Sequence, residues 1–352
     1  MSKPRLSKEE WAERSAAKVA AAQATLAESV STLVTGEDWM AYLAFQARLH
    51  CYSPNNVMLI ASQHAQAFVE GRVTDPVPSF VAGFNTWKAL GRSVDKGQHG
   101  YAVLAPVTGH RRTAADEDGH VRPLGPKEAP QPGETEERRK ALYGFKVEHV
   151  FEVGQTSGRP VPDVPRPKLL VGEAPEGLGA AVMALIESRG FTVDTVPDAG
   201  AINGANGQTN WGSRSVVVRA DMDDAAMVKT LIHEAAHCLL HADPPGSYLP
   251  RPFKEVEAES VAFVVAAAHG MPTDGYTFPY VAGWAAGDDP AKAVQATQAR
   301  VGRAARSIIE ASPAPHDPGG KVPGAAAAVE VARQARLDQD AVTGPVEAGV
   351  GV

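Results

Sequence analysis

The sequence predicts an α+β protein of two domains followed by a disordered C-terminal tail. Its 352 residues exceed one ordinary domain, and helical and strand-like segments alternate along the chain. A proline-spaced stretch at 159–167 is typical of an extended linker, and the residues from 312 onward are rich in Pro, Gly and Ala. We therefore expect domains at 1–158 and 168–311, and a tail at 312–352 with at most a transient helix near 329–337.

Helical patterns dominate the start of the first domain. Residues 7–34 are rich in Ala, Glu and Lys, which favour a helix by propensity. Apolar residues recur at three- and four-residue steps across 39–49, which predicts a second helix. Ser53 and Pro54 suit the N-cap and the first position of a third helix at 55–67.

Two strands, at 101–107 and 143–153, are expected to pair with each other. The segment between them, 108–140, is crowded with charge, Pro and Gly and has almost no large apolar residues. Such a composition does not support a core of its own. We therefore expect 108–140 to be a long mobile insertion.

Charge, cysteine content and hydropathy limit the class of protein. The formal net charge of −7 excludes a bulk polycation, so any nucleic-acid contact must come from a local basic surface. No stretch of eighteen apolar residues occurs and the first residues lack an apolar signal segment, so we expect a cytoplasmic protein. The two cysteines, Cys51 and Cys238, do not make a disulfide framework, and we expect both to be reduced.

The motif with the clearest chemistry is His-Glu-x-x-His at His233, Glu234 and His237. On a helix the two histidines lie four residues apart on one face, where both imidazoles can reach one metal ion. Apolar residues of the same segment fall on the opposite face, which argues against a chance match. A strand at 214–219 precedes this helix, an order that suits a metallopeptidase whose substrate adds to a sheet edge.

The next helical stretch, 253–263, offers carboxylates for the same metal ion. Glu255 and Glu259 share a helix face, whereas Glu257 points away from both. Glu255 lies nearer the turn that returns this helix to the first, so we expect it to be the third ligand. A carboxylate at Glu259 is then suited to accept from the free ring nitrogen of a ligand histidine. The alternative is that Glu255 merely favours a helix N-terminus.

Zinc hydrolysis needs three protein ligands, an open coordination position and a base beside it. Two histidines and Glu255 would hold Zn²⁺, and Glu234 would accept the proton. The alternative is a structural zinc site, which favours cysteine and closes all four positions. His241 is interpreted as a hydrogen-bond partner of the site or a solvated residue rather than a ligand. Possible oxyanion partners are identified by residue type only: Tyr248, Tyr276 and Tyr280.

A cluster in the first domain has the residue types that single-stranded nucleic acid requires, namely aromatic faces for stacking and cations for phosphate. The glycines at 91, 97 and 100 would let a backbone approach. The alternative is that the aromatic residues belong to the core and the lysines to a solvated face. The cluster consists of Trp87, Lys88, Arg92, Lys96 and Tyr101.

Both halves of the chain also resemble known families. Residues 231–241, followed by 255–262, resemble the small zinc peptidases of the ImmA/IrrE and ArdC kind. Residues 52–56, 83–94 and 96–100 resemble the single-stranded-DNA-binding domain of ArdC-type antirestriction proteins. The resemblance implies an α+β nucleic-acid-binding domain, with Asn55 and Asn56 among its contacts, and an α+β zincin-like metallopeptidase domain.

The family resemblance implies a mobile-element protein that shields incoming DNA from restriction. Three hypotheses follow for how its parts act together. A zinc peptidase could cut proteins bound to single-stranded DNA, or the DNA could be protected by occupancy without proteolysis. In the third, a regulatory peptidase cuts a repressor, and the first domain binds protein instead of DNA.

Overall fold

The computed structural model describes residues 7–33, 35–116, 118, 120–125, 127–161, 172–242, 251–273, 290–313, 319–321 and 325–342. Helices and sheets are both present, so the expectation of a mixed α and β architecture is confirmed. Among these residues no helix is both long and apolar enough to cross a membrane. No disulfide links Cys51 and Cys238.

The α-helices are, in chain order, α1 (Lys8–Ser31), α2 (Gly36–Arg48), α3 (Pro54–Val69), α4 (Phe84–Ala89), α5 (Leu178–Ser188), α6 (Asp224–His241), α7 (Arg251–Ala268), α8 (Pro290–Ala311) and α9 (Ala325–Val342). The β-strands are β1 (Val81–Gly83), β2 (Arg92–Val94), β3 (Tyr101–Ala115), β4 (Val121–Pro123), β5 (Thr135–Glu152), β6 (Thr156–Gly158), β7 (Thr192–Val196), β8 (Gly207–Asn210) and β9 (Ser215–Arg219).

The chain divides into two compact units. The first unit is Met1–Thr25 with Ala102–His149, and the second is Leu26–Tyr101 with Val150–Val352. These boundaries differ from the predicted division at 159–167, most of which lies outside the described residues. The domain assignment made from the sequence therefore stays a prediction.

Strands fill much of the segment expected to be a mobile insertion. β3 extends to Ala115 and lies between β5 and β4 in one sheet. Arg112 donates to both carboxylate oxygens of Glu136 at 2.7 Å, and Arg122 pairs with Glu134 in the same way at 2.7 and 2.8 Å. Neighbouring strands satisfy each other's backbone groups. The segment expected to be a mobile insertion therefore contains strands, because a ribbon held by backbone and ionic contacts needs little apolar burial.

Helices α6, α7 and α8 form the centre of the second unit. α6 contacts α5, α7 and α8, and its apolar face includes Ile232 and Ala235, both fully buried. Beside it lies a sheet of order β7-β9-β8, in which β9 pairs parallel with β7 and antiparallel with β8. β9 immediately precedes α6 in the chain, as expected from the strand predicted at 214–219.

Residues from the start of the chain belong to this same unit. α2 packs on α7, where the Trp39 indole N–H donates to Ser260 Oγ at 2.8 Å. Arg306 of α8 donates to the His50 and Tyr52 carbonyls before α3. The helices predicted for the first domain therefore help to support the helices that carry the metal-binding motif.

The expectation of a disordered tail is corrected for its described residues. α9 spans Ala325–Val342, longer than the transient helix predicted at 329–337. The Val81 N–H donates to the Gly320 carbonyl at 3.0 Å, and Ala325 packs against the buried cluster of Ala82 and Trp87. This part of the tail contacts the rest of the second unit through a backbone hydrogen bond and an apolar contact. A composition rich in small residues does not reveal either contact.

Candidate metal centre and nucleic-acid interface

α6 positions the His-Glu-x-x-His motif in the second unit. Asp223 caps the helix, because its carboxylate accepts from the Ala226 N–H at 2.8 Å. The helical repeat then places His233 and His237 one turn apart on the same face. α7 supplies the carboxylates that meet this face; the predicted turn between the helices, 243–246, lies outside the described residues.

Three side-chain atoms converge at this face. His233 Nε2 and His237 Nε2 are 3.1 Å apart, and Glu255 Oε2 lies 3.4 Å from the first and 3.5 Å from the second. Ligands about 2.0–2.1 Å from a tetrahedral metal ion are separated from one another by about 3.3 Å. The donor set and its spacing therefore fit a divalent metal ion held by His233, His237 and Glu255.

The charges of the three groups reinforce this arrangement. The hydrogen bond from His233 holds the pKa of the Glu255 carboxyl well below its usual range. Burial alone would lower the pKa of His233, but its hydrogen bonds to Glu255 and Glu259 raise that pKa to about 9. In the metal-free protein His233 is thus a proton-binding group, and a metal ion must displace that proton to bind there.

The metal-free protein is expected to lose stability as pH rises from about 6.5 towards 9. His233 titrates near 9 in the folded state against 6.5 ordinarily, so the folded state binds the proton more tightly than the unfolded state does. This contribution is fully present below pH 6.5 and disappears through pH 9. Denaturant unfolding in excess chelator should show a fall on the order of 1–3 kcal/mol. A His233→Gln variant should lack this fall, and an equal fall in both proteins would contradict the assignment.

Glu234 lies beside the three converging atoms without joining them. Its side chain is buried, and one carboxylate oxygen accepts from Thr209 Oγ1 at 2.6 Å. Gly207 of β8 packs against the same carboxylate, since a Cβ at this position would lie 2.9 Å from Glu234 Oε1. The missing side chain therefore leaves the carboxylate room at the edge of the site.

A cleft of roughly 690 Å³ opens onto this centre. Its walls include His233, Glu234 and Glu255 on one side and residues of β8 and its following turn on the other. Trp211 stands at its rim, 40% exposed, with its ring edge-on to His237 at 6.1 Å between centroids. Thr209 and Trp211 were not predicted, because their approach to α6 depends on how the sheet packs.

The carboxylates of α7 separate as the helical repeat predicts. Glu259 Oε2 lies 3.0 Å from His233 Nδ1, the contact expected of it. Glu257 points elsewhere and is 2% exposed, 3.0 Å from His241 Nε2. His241 is also 2% exposed, so the possibility of a solvated residue is wrong. The possible oxyanion partners, Tyr248, Tyr276 and Tyr280, lie outside the described residues.

The structure corrects the predicted stacking residues. Trp87 is fully buried and its indole N–H donates to the Phe151 carbonyl at 3.0 Å. Tyr101 is 2% exposed and its hydroxyl lies 2.9 Å from His64 Nδ1. Neither ring offers a face to a base, because both are packed in the core. The alternative of ordinary core aromatics applies to these two residues.

The polar members of the predicted set have different surroundings. Arg92 donates to Thr156 Oγ1 at 2.9 Å and is held within its own sheet. Lys88 and Lys96 are exposed. Asn55 and Asn56 are partly buried in the first turn of α3.

The first unit carries an exposed surface that sequence reasoning missed. Tyr143 is 62% and Phe145 is 47% exposed on β5, and the Tyr143 ring lies over Gly109, where a Cβ would approach it to 2.9 Å. Exposed cations accompany these rings on β3 and β5. We call these exposed residues of two strands the basic aromatic ribbon: Arg111, Arg138, Lys140, Tyr143 and Phe145. The interleaved charges and rings of 138–146 were the available signal, but the strand was predicted to begin only at 143.

The chain is similar to one known protein family and to an uncharacterized bacterial protein. Residues 13–151 match the family model of the N-terminal domain of anti-restriction factor ArdC. An uncharacterized protein of Bacillus anthracis is 27% identical over 268 residues, which cover 70% of this chain and 43% of that protein. The chain thus spans less than half the length of this curated relative.

Two solved structures of the antirestriction ArdC protein from the R388 plasmid are also similar. The metal-free structure is 21% identical, with 79% of this chain and 84% of that chain covered and a TM-score of 0.38. The Mn(II)-bound structure is 17% identical, with 77% and 97% covered and a TM-score of 0.41.

Proposed function

We propose that this chain, whose residues 13–151 match the N-terminal domain of anti-restriction factor ArdC, is a zinc-dependent peptidase that also binds single-stranded DNA. The convergence of His233 Nε2, His237 Nε2 and Glu255 Oε2 within 3.5 Å carries the proposal. A bound metal ion would supply Lewis acidity to a peptide carbonyl and would acidify water. Two nitrogens and one oxygen suit zinc, although Fe²⁺ also uses such a set.

A catalytic site is favoured over a structural one by the number and type of donors. The group of potential ligands at this site contains three members among the described residues, which leaves a coordination position for water. Cys238, one residue beyond His237, is not among them, and burial raises the pKa of its thiol to about 12. A protonated thiol is not a metal ligand.

Glu234 is the residue we propose as the proton acceptor. It is buried beside the ligands, and the Thr209 hydroxyl fixes one of its oxygens. The cleft runs between this carboxylate and β8, an edge strand of its three-stranded sheet among the described residues. An extended polypeptide can add to such an edge by backbone hydrogen bonds, which supports a protein or peptide as substrate.

Full-length protein purified without added metal is expected to contain about one zinc ion per chain, as for a site of two histidines and one carboxylate. Elemental analysis by mass spectrometry measures zinc, manganese and iron in the same sample. A His233→Ala/His237→Ala variant should contain less than a tenth of the wild-type zinc. Wild-type protein below that level even after incubation with zinc would contradict the metal assignment.

The DNA-binding part of the proposal rests on the ArdC N-terminal match and on the basic aromatic ribbon. The matched residues, 13–151, include every member of the ribbon. Exposed rings can stack on bases of any sequence, and cations on the same strands can contact phosphates. With Trp87 and Tyr101 buried, the ribbon is the better candidate for the contact surface.

Charge reversal at Arg138→Glu/Lys140→Glu is expected to weaken single-stranded DNA binding by about tenfold or more at low salt, because each lost phosphate contact removes a counterion-release contribution. Fluorescence anisotropy of the full chain with single- and double-stranded oligonucleotides across a salt series measures this. Lys88→Glu/Lys96→Glu is the matched control, since it changes the formal charge equally, and its loss should stay below about threefold. A larger loss of affinity in Lys88→Glu/Lys96→Glu than in Arg138→Glu/Lys140→Glu would instead assign the DNA contact to the cluster predicted from the sequence.

The biological role proposed with these activities is antirestriction or action on DNA-bound proteins of a mobile element. Protection by occupancy and cleavage of a repressor are the competing functions. A Glu234→Gln variant that still protects DNA from restriction would favour occupancy. Repressor cleavage that proceeds equally without DNA would favour the regulatory peptidase.

A further inference from the structure

Behind His237 runs a chain of buried polar contacts that links three helices. His237 Nδ1 lies 2.9 Å from His241 Nδ1, and His241 Nε2 lies 3.0 Å from Glu257 Oε2. Arg300 of α8 donates from Nε to Glu257 Oε1 at 2.8 Å and from Nη2 to Oε2 at 3.0 Å. His241 and Glu257 are each 2% exposed, so these contacts are shielded from water.

The proton positions in this chain follow from its two ends. Glu257 faces Arg300 and accepts hydrogen bonds only, so a neutral His241 must carry its proton on Nε2. Its Nδ1 is then an acceptor, and His237 must donate to it from Nδ1. This leaves His237 Nε2 without a proton, with its lone pair directed at His233 and Glu255. Each contact from Glu257 to His237 Nδ1 then joins one donor and one acceptor.

The Nδ1 atoms of the two histidines therefore have different partners. His233 Nδ1 contacts Glu259, whose side chain is 39% exposed. His237 Nδ1 instead contacts His241, which in turn contacts the ion pair of Glu257 with Arg300 of α8. Arg300 also donates to the Leu240 carbonyl at 3.1 Å, which ties it to the last turn of α6.

We infer that His241, Glu257 and Arg300 are positioning residues that hold His237 in the tautomer and ring orientation required for metal binding. The inference rests on the proposed metal site. Partners of a ligand histidine's second nitrogen typically change metal affinity by 10–100-fold when removed. A buried ion pair often contributes little to stability compared with an apolar replacement. We therefore expect this chain of contacts to affect metal affinity more than stability.

The test compares His241→Gln with His241→Leu in the full-length protein. A glutamine amide can accept from His237 and donate to Glu257, whereas leucine fills the space without either contact. Zinc affinity, measured by competition with a chromogenic chelator, should fall about 10–100-fold in His241→Leu. In His241→Gln it should stay closer to wild type than to His241→Leu. Circular dichroism of the metal-free proteins checks that each variant is folded.

Histidine ring ¹⁵N spectra of the metal-free wild-type chain supply a readout that does not depend on any variant folding. His241 should be neutral and protonated on Nε2, and His237 protonated on Nδ1. An Nδ1-protonated His241 would overturn the inference. So would wild-type zinc affinity in folded His241→Leu, or equal losses in the two folded variants, since equal losses would mean that only packing matters. If wild type binds no zinc while the spectra show the expected tautomers, the proposed metal site fails and the tautomer assignment stands.

Discussion

Replacing Glu234 with glutamine is expected to lower peptide hydrolysis by about 10²–10⁴-fold, the usual contribution of a general base, while the bound metal is retained. Glutamine keeps the size of the side chain and an oxygen that can accept from Thr209 Oγ1, which now lies 2.6 Å from the carboxylate. It cannot take a proton from water. Glu234 is not among the three converging atoms, so its loss should leave the donor set intact.

The substrate is not needed in advance for this measurement. Zinc-loaded protein is incubated with an unbiased peptide mixture, and new termini are counted over time by mass spectrometry, with metal content measured on the same sample. Glu187→Gln, an exposed residue on α5, is the matched control for the chemical change. Wild-type hydrolysis by Glu234→Gln would remove Glu234 from the role of base, and wild-type hydrolysis in excess chelator would remove the metal from the reaction.

Helical periodicity explains why the candidate metal centre could be predicted in detail. The separation of Glu255 and Glu259 from Glu257 follows from the repeat of a single helix, whatever the rest of the chain does. The partners of Glu257 do not follow from it. Arg300 lies 43 positions further along the chain, and its approach depends on how α8 packs against α6 and α7. A local pattern carries no information on that packing.

The DNA-binding residues, in contrast, could not be predicted from a local pattern. Aromatic and basic residues interleave between 87 and 101, but that pattern is the same whether the rings face solvent or core. Trp87 and Tyr101 face the core because sheet residues and His64 surround them. The basic aromatic ribbon was missed because the strand was predicted to begin at 143. Since β5 begins at Thr135, its cations and rings lie on one exposed strand.

Non-local packing also limits what the sequence predicts about domains. Each early helix was predicted close to its observed bounds, since caps such as Ser53 and Pro54 act locally. The packing of α2 against α7 was not predicted, because the contacting residues Trp39 and Ser260 are 221 positions apart. Two helices with apolar faces pack together wherever those faces are complementary. A composition change along the chain does not report such a contact.

Replacing Glu255 with glutamine is expected to weaken zinc binding more than any other single substitution among the acids of α7. Glu255 Oε2 is the carboxylate oxygen within 3.5 Å of both histidine Nε2 atoms. A neutral amide loses the negative charge that favours the metal and is a poorer zinc ligand than carboxylate. The loss should exceed the roughly 10–100-fold that follows removal of a ligand's hydrogen-bond partner.

The neighbouring acids provide matched controls, because each Glu→Gln change removes one charge from the same helix. Glu259→Gln keeps an oxygen for His233 Nδ1, which is 3.0 Å away, so its loss should be smaller. Glu257→Gln weakens the contact with Arg300 and should give an intermediate loss. Chelator competition on the three folded proteins gives the order. Loss at Glu257 with retention at Glu255 would mean that α7 presents its opposite face to the metal, because the two carboxylates lie on different sides of the helix.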